Sequence, residues 1–270
     1  MKKLVLLFIF MQHEWVFANA NNNQANETRG VSNFQTIGPT GNCHFNTTNG
    51  DTLQDAINSG FEEIRLVNSV TYYGAFNSIG SVNIRGGFDT CLDAAGNQQG
   101  TIPSEINGDA IGSTLTLAVN GTYQLEKIKI TNGLADQPAP GDAGGGLNLA
   151  AADSVVILTD VIVEDNVAMF GAGIAKMGIN NNTVLVLADS VIQNNQTLLP
   201  GGHGGGIYFN GTGEFIAYGD TLISRNEAEI GGGLFLKDTV ANLVVGQNAA
   251  DTGIIANKST ESAAGVYTNN

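Results

Sequence analysis

Gly204-Gly205-Gly206-Ile207-Tyr208-Phe209 is followed 27 residues later by Gly231-Gly232-Gly233-Leu234-Phe235-Leu236. The same pattern, a small-residue triplet and then an apolar strand, occurs at Gly144-Gly145-Gly146-Leu147-Asn148-Leu149, Gly171-Ala172-Gly173-Ile174 and Ala263-Ala264-Gly265-Val266-Tyr267. A second signal runs out of phase with the first. It reads apolar-x-x-Asn and ends at Asn166, Asn195, Asn226 and Asn257. Between the two lies a third apolar run: Val155 to Leu158, Val184 to Leu187, Phe215 to Tyr218 and Leu243 to Val245. Each period of roughly 30 residues thus holds three short strands separated by turns.

This pattern predicts an all-β protein, a right-handed parallel β-helix with three strands per coil. One coil cannot bury its inward side chains alone. Coils stacked about 4.8 Å apart bury them and pair the backbone of each with the next. Alternation sends Leu234 and Leu236 to one side of their strand and Phe235 to the other. Glycine suits corners that need positive φ or close packing. The recurring Asn residues are expected to stack their amides as a ladder inside one turn. A two-layer sandwich is the rival architecture, but it predicts hairpins every 8–12 residues rather than this long phase.

Working upstream, Leu125 to Gly133 aligns with Leu158 to Asn166 and predicts an earlier, degenerate coil with Gly133 at the Asn corner. Strand-like runs precede it at Glu63 to Val67, Ser81 to Arg85 and Thr114 to Val119. Thr52 to Ile57 has the spacing of a short amphipathic helix, suited to capping the open N-terminal end of a solenoid. Ala135 to Asp142 and Thr197 to His203 interrupt the repeat and are read as exposed loops. The expected organisation is 1–20 signal peptide, 21–40 flexible leader, 41–110 cap and early coils, and 111–270 regular coils. The last coil begins at Gly265 and stops at Asn270, which predicts a missing C-terminal portion or a partner over that end.

The signal-peptide reading rests on Lys2 and Lys3, the apolar run Leu4 to Met11, and the small residues Ala18 and Ala20, with cleavage after Ala20. Export makes a disulfide between Cys43 and Cys91 the expected state of the two cysteines.

The chain has 270 residues, a formal net charge of −14, only 13% charged residues, 36 Gly and 31 Asn. No basic cluster invites nucleic acid or an anionic lipid surface. No stretch is long and apolar enough for a transmembrane helix. Zinc, serine or cysteine chemistry has neither ligand spacing nor triad to rest on. The Gly201–Gly206 run lacks the Lys-Ser/Thr of a nucleotide loop.

Asp160, Asp189 and Asp220 each precede a ladder strand residue (Val163, Ile192, Ile223) by three positions. Stacked at strand spacing, two such charges repel by roughly 1 kcal/mol in water and 3–4 kcal/mol at an effective dielectric of 20. A solvated turn would relieve this, as would a bridging calcium ion; the three form a weak calcium candidate. No other cofactor is expected.

The pairing of Gly-Gly-apolar with apolar-x-x-Asn resembles the Gly-Gly-Ala-Ile and Phe-x-x-Asn repeats of the chlamydial polymorphic outer-membrane proteins, with Val or Ile standing for Phe. Over residues 40–270 the chain is similar more broadly to exported right-handed β-helix proteins of the pectin-lyase-like superfamily; Val82 to Cys91 also resembles the N-terminal part of such bacterial proteins. The resemblance implies display outside a Gram-negative cell or on its outer membrane. It also implies a structural or adhesive role toward a host surface, matrix or polysaccharide. The superfamily includes polysaccharide lyases and glycoside hydrolases, which makes such an enzyme the alternative. The paired Asp-Asp and Arg-x-Lys of the polygalacturonase-like members are missing. His203-Gly204 matches their His-Gly inside a glycine-rich loop, and Arg225 lacks the Arg-x-Pro setting of the pectate-lyase base. No catalytic residue is therefore assigned.

Overall fold

The computed structural model describes residues 33–137, 142–178, 182–198, 200–237, 242–247 and 252–269. Within them one regular coil runs Ser154–Thr159, Ile162–Glu164, Val167–Ala168 and Ile174–Lys176. Each strand pairs in parallel with its counterpart one coil away. The result is four parallel sheets, of nine, seven, five and seven strands, called first to fourth in the order the chain visits them. The chain is a right-handed parallel β-helix, the hand that parallel crossovers take. Seven strands in each of the second and fourth sheets mark seven coils.

The three strands read from the sequence are the first, second and fourth of each coil. The third sheet adds a short strand after the Asn corner, of two residues at Leu134–Ala135, Val167–Ala168 and Gln196–Thr197. Its inward positions are small (Ala135, Ala168, Thr197, Ala228) and too few per strand to show a period. Ala135 and Thr197 are accordingly buried strand residues rather than the first residues of exposed loops.

Like side chains stack on like. Val156, Leu185 and Phe215 share one register position of the first sheet, and Ile130, Val163, Ile192 and Ile223 one of the second. All lie in a single core cluster. Each buried aliphatic side chain contributes about 1.5–3 kcal/mol, so the core grows by a fixed increment per coil. Leu234 and Leu236 take inward positions and Phe235 the outer one.

At the N-terminal end, Phe34–Gly38 is a strand. The leader expected over 21–40 therefore does not run through these residues. Ile37 reaches the core, and the strand adds to Glu63–Val67 on one side and Phe45–Asn46 on the other. Residues 1–32, with the signal peptide, its cleavage after Ala20 and most of the leader, lie outside the described residues.

Helix α1, Leu53–Asn58, has Thr52 and Asp55 in a capping box. It presses Leu53, Ala56 and Ile57 onto the same core as Ile64 and Phe76. A second short helix, α2 at Cys91–Ala95, lies between the first-sheet strand Asn83–Phe88 and the second-sheet strand Ser104–Asn107. Cys91 is disulfide-bonded to Cys43, and Arg65 Nη1 donates to Ala94 O at 2.5 Å. No helix among the described residues is long and apolar enough to cross a membrane.

Candidate functional site

The two out-of-phase sequence signals meet at one corner. Asn195 Oδ1 accepts from both Asn166 N and Asn166 Nδ2, while Asn195 Nδ2 donates to Val163 O and Gln193 O. Asn226 serves Asn195 in the same way, and Asn257 serves Asn226. Gly133 stands at the head of the column and donates its N–H to Asn166 Oδ1 at 2.9 Å. A Cβ on Gly146, Gly173, Gly206 or Gly233 would lie 2.8–2.9 Å from the Nδ2 of Asn166, Asn195, Asn226 or Asn257. The third glycine of each triplet is thus the space the ladder amide fills. The first glycines, 144, 171, 204 and 231, have φ between +57° and +68°.

The Asp candidates behave differently. Asp160 and Asp189 occupy the same corner, with φ of +53° and +50°, but the equivalent residue one coil on is Gly219, not Asp220. The turn from the first to the second sheet is one residue longer there, and Asp220 is displaced. Asp189 Oδ1 accepts from Asp220 N at 2.9 Å, while Asp160 pairs with Lys127 at 3.4 Å. Among the described residues no three His, Cys, Asp or Glu side chains come together as a metal site. Asp189 and Asp160 thus face a turn N–H and an ammonium, and Asp220 stands out of line with them.

The outer row of the second sheet is an unbroken chain of pairings. Lys129 Nζ lies 2.8 Å from Glu164 and 4.0 Å from Glu105. Gln193 Nε2 donates to Glu164 at 2.6 Å, and Arg225 Nη2 donates to Gln193 at 2.5 Å. Burial opposes the charge of Glu164, but hydrogen bonds from Lys129 and Gln193 hold its carboxyl below the usual range. The hydrogen bond to Glu164 raises Lys129. Arg225 belongs to this row.

His203 sits in a column of rings on the outer side of the fourth sheet. It stacks on Phe235 at 4.7 Å and meets Phe170 edge-on at 5.7 Å. Tyr208, Phe235 and Tyr267 continue the column at 5.2 and 4.9 Å. Burial pushes His203 below its ordinary pKa, with Glu229 opposing. Tyr208 and Phe235 are only 3% and 2% exposed, so these two rings are covered by their neighbours. Of the two interrupting segments, residues 138–141 and 199 lie outside the described residues.

Sequence reasoning missed Lys176. It shares an inward register position with Leu149 and Phe209, and its side chain is fully buried. Its ammonium donates to Leu149 O, Ala151 O and Met177 O at 3.3, 2.6 and 3.0 Å. Burial pushes its pKa down to about 8, with Asp153 opposing. The available signal was a Lys where the parallel strands carry Leu or Phe.

No family model matches the chain, and no curated protein matches it. Among solved structures it is similar to the crystal structure of the deglycosylated pectin methylesterase from Aspergillus niger. The identity is 14%, over 89% of this chain and 82% of that one, with a TM-score of 0.31. The β-helix assignment itself comes from the strand pairing of this chain.

Proposed function

We propose that this protein is an exported, non-catalytic β-helix with a structural or adhesive role toward a surface or polysaccharide. The observation that carries the reading is the second-sheet row from Glu105 through Lys129, Glu164 and Gln193 to Arg225. Acid–base catalysis needs a carboxyl or base free to exchange protons with substrate. In this row the charged groups are engaged with their own neighbours along the solenoid. Such rows, with the Asn column and the ring column, favour a stiff rod. The Cys43–Cys91 disulfide fits an oxidising compartment. The resemblance to exported bacterial repeat proteins supports the same reading.

The test is to incubate the purified chain with neutral and acidic polysaccharides, with and without calcium, and to follow binding and product release together. Retention on at least one polymer without new reducing ends or unsaturated products is the expected result. Turnover that tracks the purified protein would overturn the proposal in favour of a lyase or hydrolase.

A further inference from the structure

A parallel solenoid has a growth problem that a closed barrel does not. Its terminal strands carry backbone groups ready to accept another strand. At the N-terminal end, the outermost strand of the fourth sheet is Phe76–Asn77. Its inner side is paired, since Phe76 N and Ser78 N donate to Thr114 O and Thr116 O of the next coil. Asn77 points its own N–H and C=O the other way, to where an added strand would lie.

That place is taken by one side chain. Gln54 Oε1 accepts from Asn77 N at 2.8 Å, and Gln54 Nε2 donates to Asn77 O at 3.0 Å. A primary amide carries the donor and acceptor of a peptide unit and here supplies both. Gln54 is itself braced, because its Nε2 also donates to Asn58 Oδ1 at 2.8 Å, one helical turn on. Helix α1 is fixed by its capping box and by Leu53, Ala56 and Ile57 in the core.

We infer that Gln54 terminates the fourth sheet by standing in for the next strand, and so blocks a second copy of this chain from adding its own coil to this end. Among the described residues, the apolar face of α1 packs on the core at this end, and a single amide meets this sheet edge. A head-to-tail addition would not close on itself, so its product would be an open filament rather than a dimer of fixed size.

The inference is tested by sedimentation velocity on the full chain, comparing wild type with Gln54→Ala and Gln54→Lys across a concentration series. Circular dichroism establishes that each is folded. Gln54→Ala opens the edge and is expected to self-associate at least about tenfold more tightly than wild type, in a distribution that broadens with concentration. Gln54→Lys removes the amide but leaves a charge at the edge, and is expected to stay within about twofold of wild type. Folded Gln54→Ala with unchanged sedimentation would overturn the inference, as would association of the Lys variant as strong as that of the Ala variant. Hydrogen exchange on wild type gives a reading independent of either variant's folding. The Asn77 amide is expected to exchange at the rate of paired strand amides such as Phe76; exchange at the rate of an open edge would equally refute the role of Gln54.

Discussion

Asn195 shows how much a single residue holds in this architecture. It is fully buried and joins three coils through its side chain. Asn195→Ala takes the Oδ1 acceptor from Asn166 N and Asn166 Nδ2, and a loss of about 2–5 kcal/mol is expected by urea unfolding. Gly206→Ala attacks the same corner from the other side. Its Cβ would meet Gly233 O at 2.5 Å and Asn226 Nδ2 at 2.9 Å, against backbone that cannot yield. A destabilisation of about 2 kcal/mol or more is expected. Gly41→Ala, with nothing within 4 Å, should melt like wild type and serves as the control.

Lys176 makes a prediction of sign. Its pKa in the folded chain is about 8, below the roughly 10.4 of an unfolded lysine. Between those values the unfolded chain binds more protons, so stability rises with pH across the window, by up to roughly 3 kcal/mol. Unfolding free energies at pH 7.5, 8.5 and 9.5 should show wild type gaining on Lys176→Met. A flat difference would mean that the three carbonyls hold the proton as well as water does. The sequence shows a Lys where the parallel strands carry Leu or Phe, but not its acceptors, which lie at the C-terminal ends of its own strand and of the strand one coil back.

At the scale of elements, the disulfide and α2 act as one clamp. Cys43 lies between the strands Phe34–Gly38 and Phe45–Asn46 and Cys91 opens α2, at a sequence separation of 48. Cross-linking a loop of that size contributes roughly 3–4 kcal/mol in the chain-entropy model. The Cys43→Ser/Cys91→Ser double variant should lose about that much, measured by denaturant unfolding against wild type under oxidising conditions. Its first new proteolytic cuts are expected near α2. The apolar spacing of α1 was legible because three core residues mark one face of a helix. Helix α2 was not: it has five residues, buries only Cys91 and Ala94, and leaves Leu92 in solvent. The third sheet has no legible period for the related reason that three of its five strands have only two residues.

Over the whole molecule, stability is additive from coil to coil, because each coil touches chiefly its neighbours. A defect at Asn195 should therefore raise hydrogen exchange most in the coils of Asn166 and Asn226, and least at α1. Equal loosening from Phe34 to Asn269 would mean that the solenoid unfolds as one unit.

The sequence by itself determined the coil. Inward positions repeat like residues, glycines mark where backbones touch, and the Asn column must follow, because stacking places equivalent residues one above another. Only the tertiary structure decided what unlike residues do between coils. One extra residue at the Gly219 turn took Asp220 out of line with Asp160 and Asp189. Gln54 met Asn77, and Lys176 met three carbonyls, through chain geometry that no repeat records. Contacts between equivalent positions are written in the period, whereas contacts between different positions depend on turn length and on where each excursion returns.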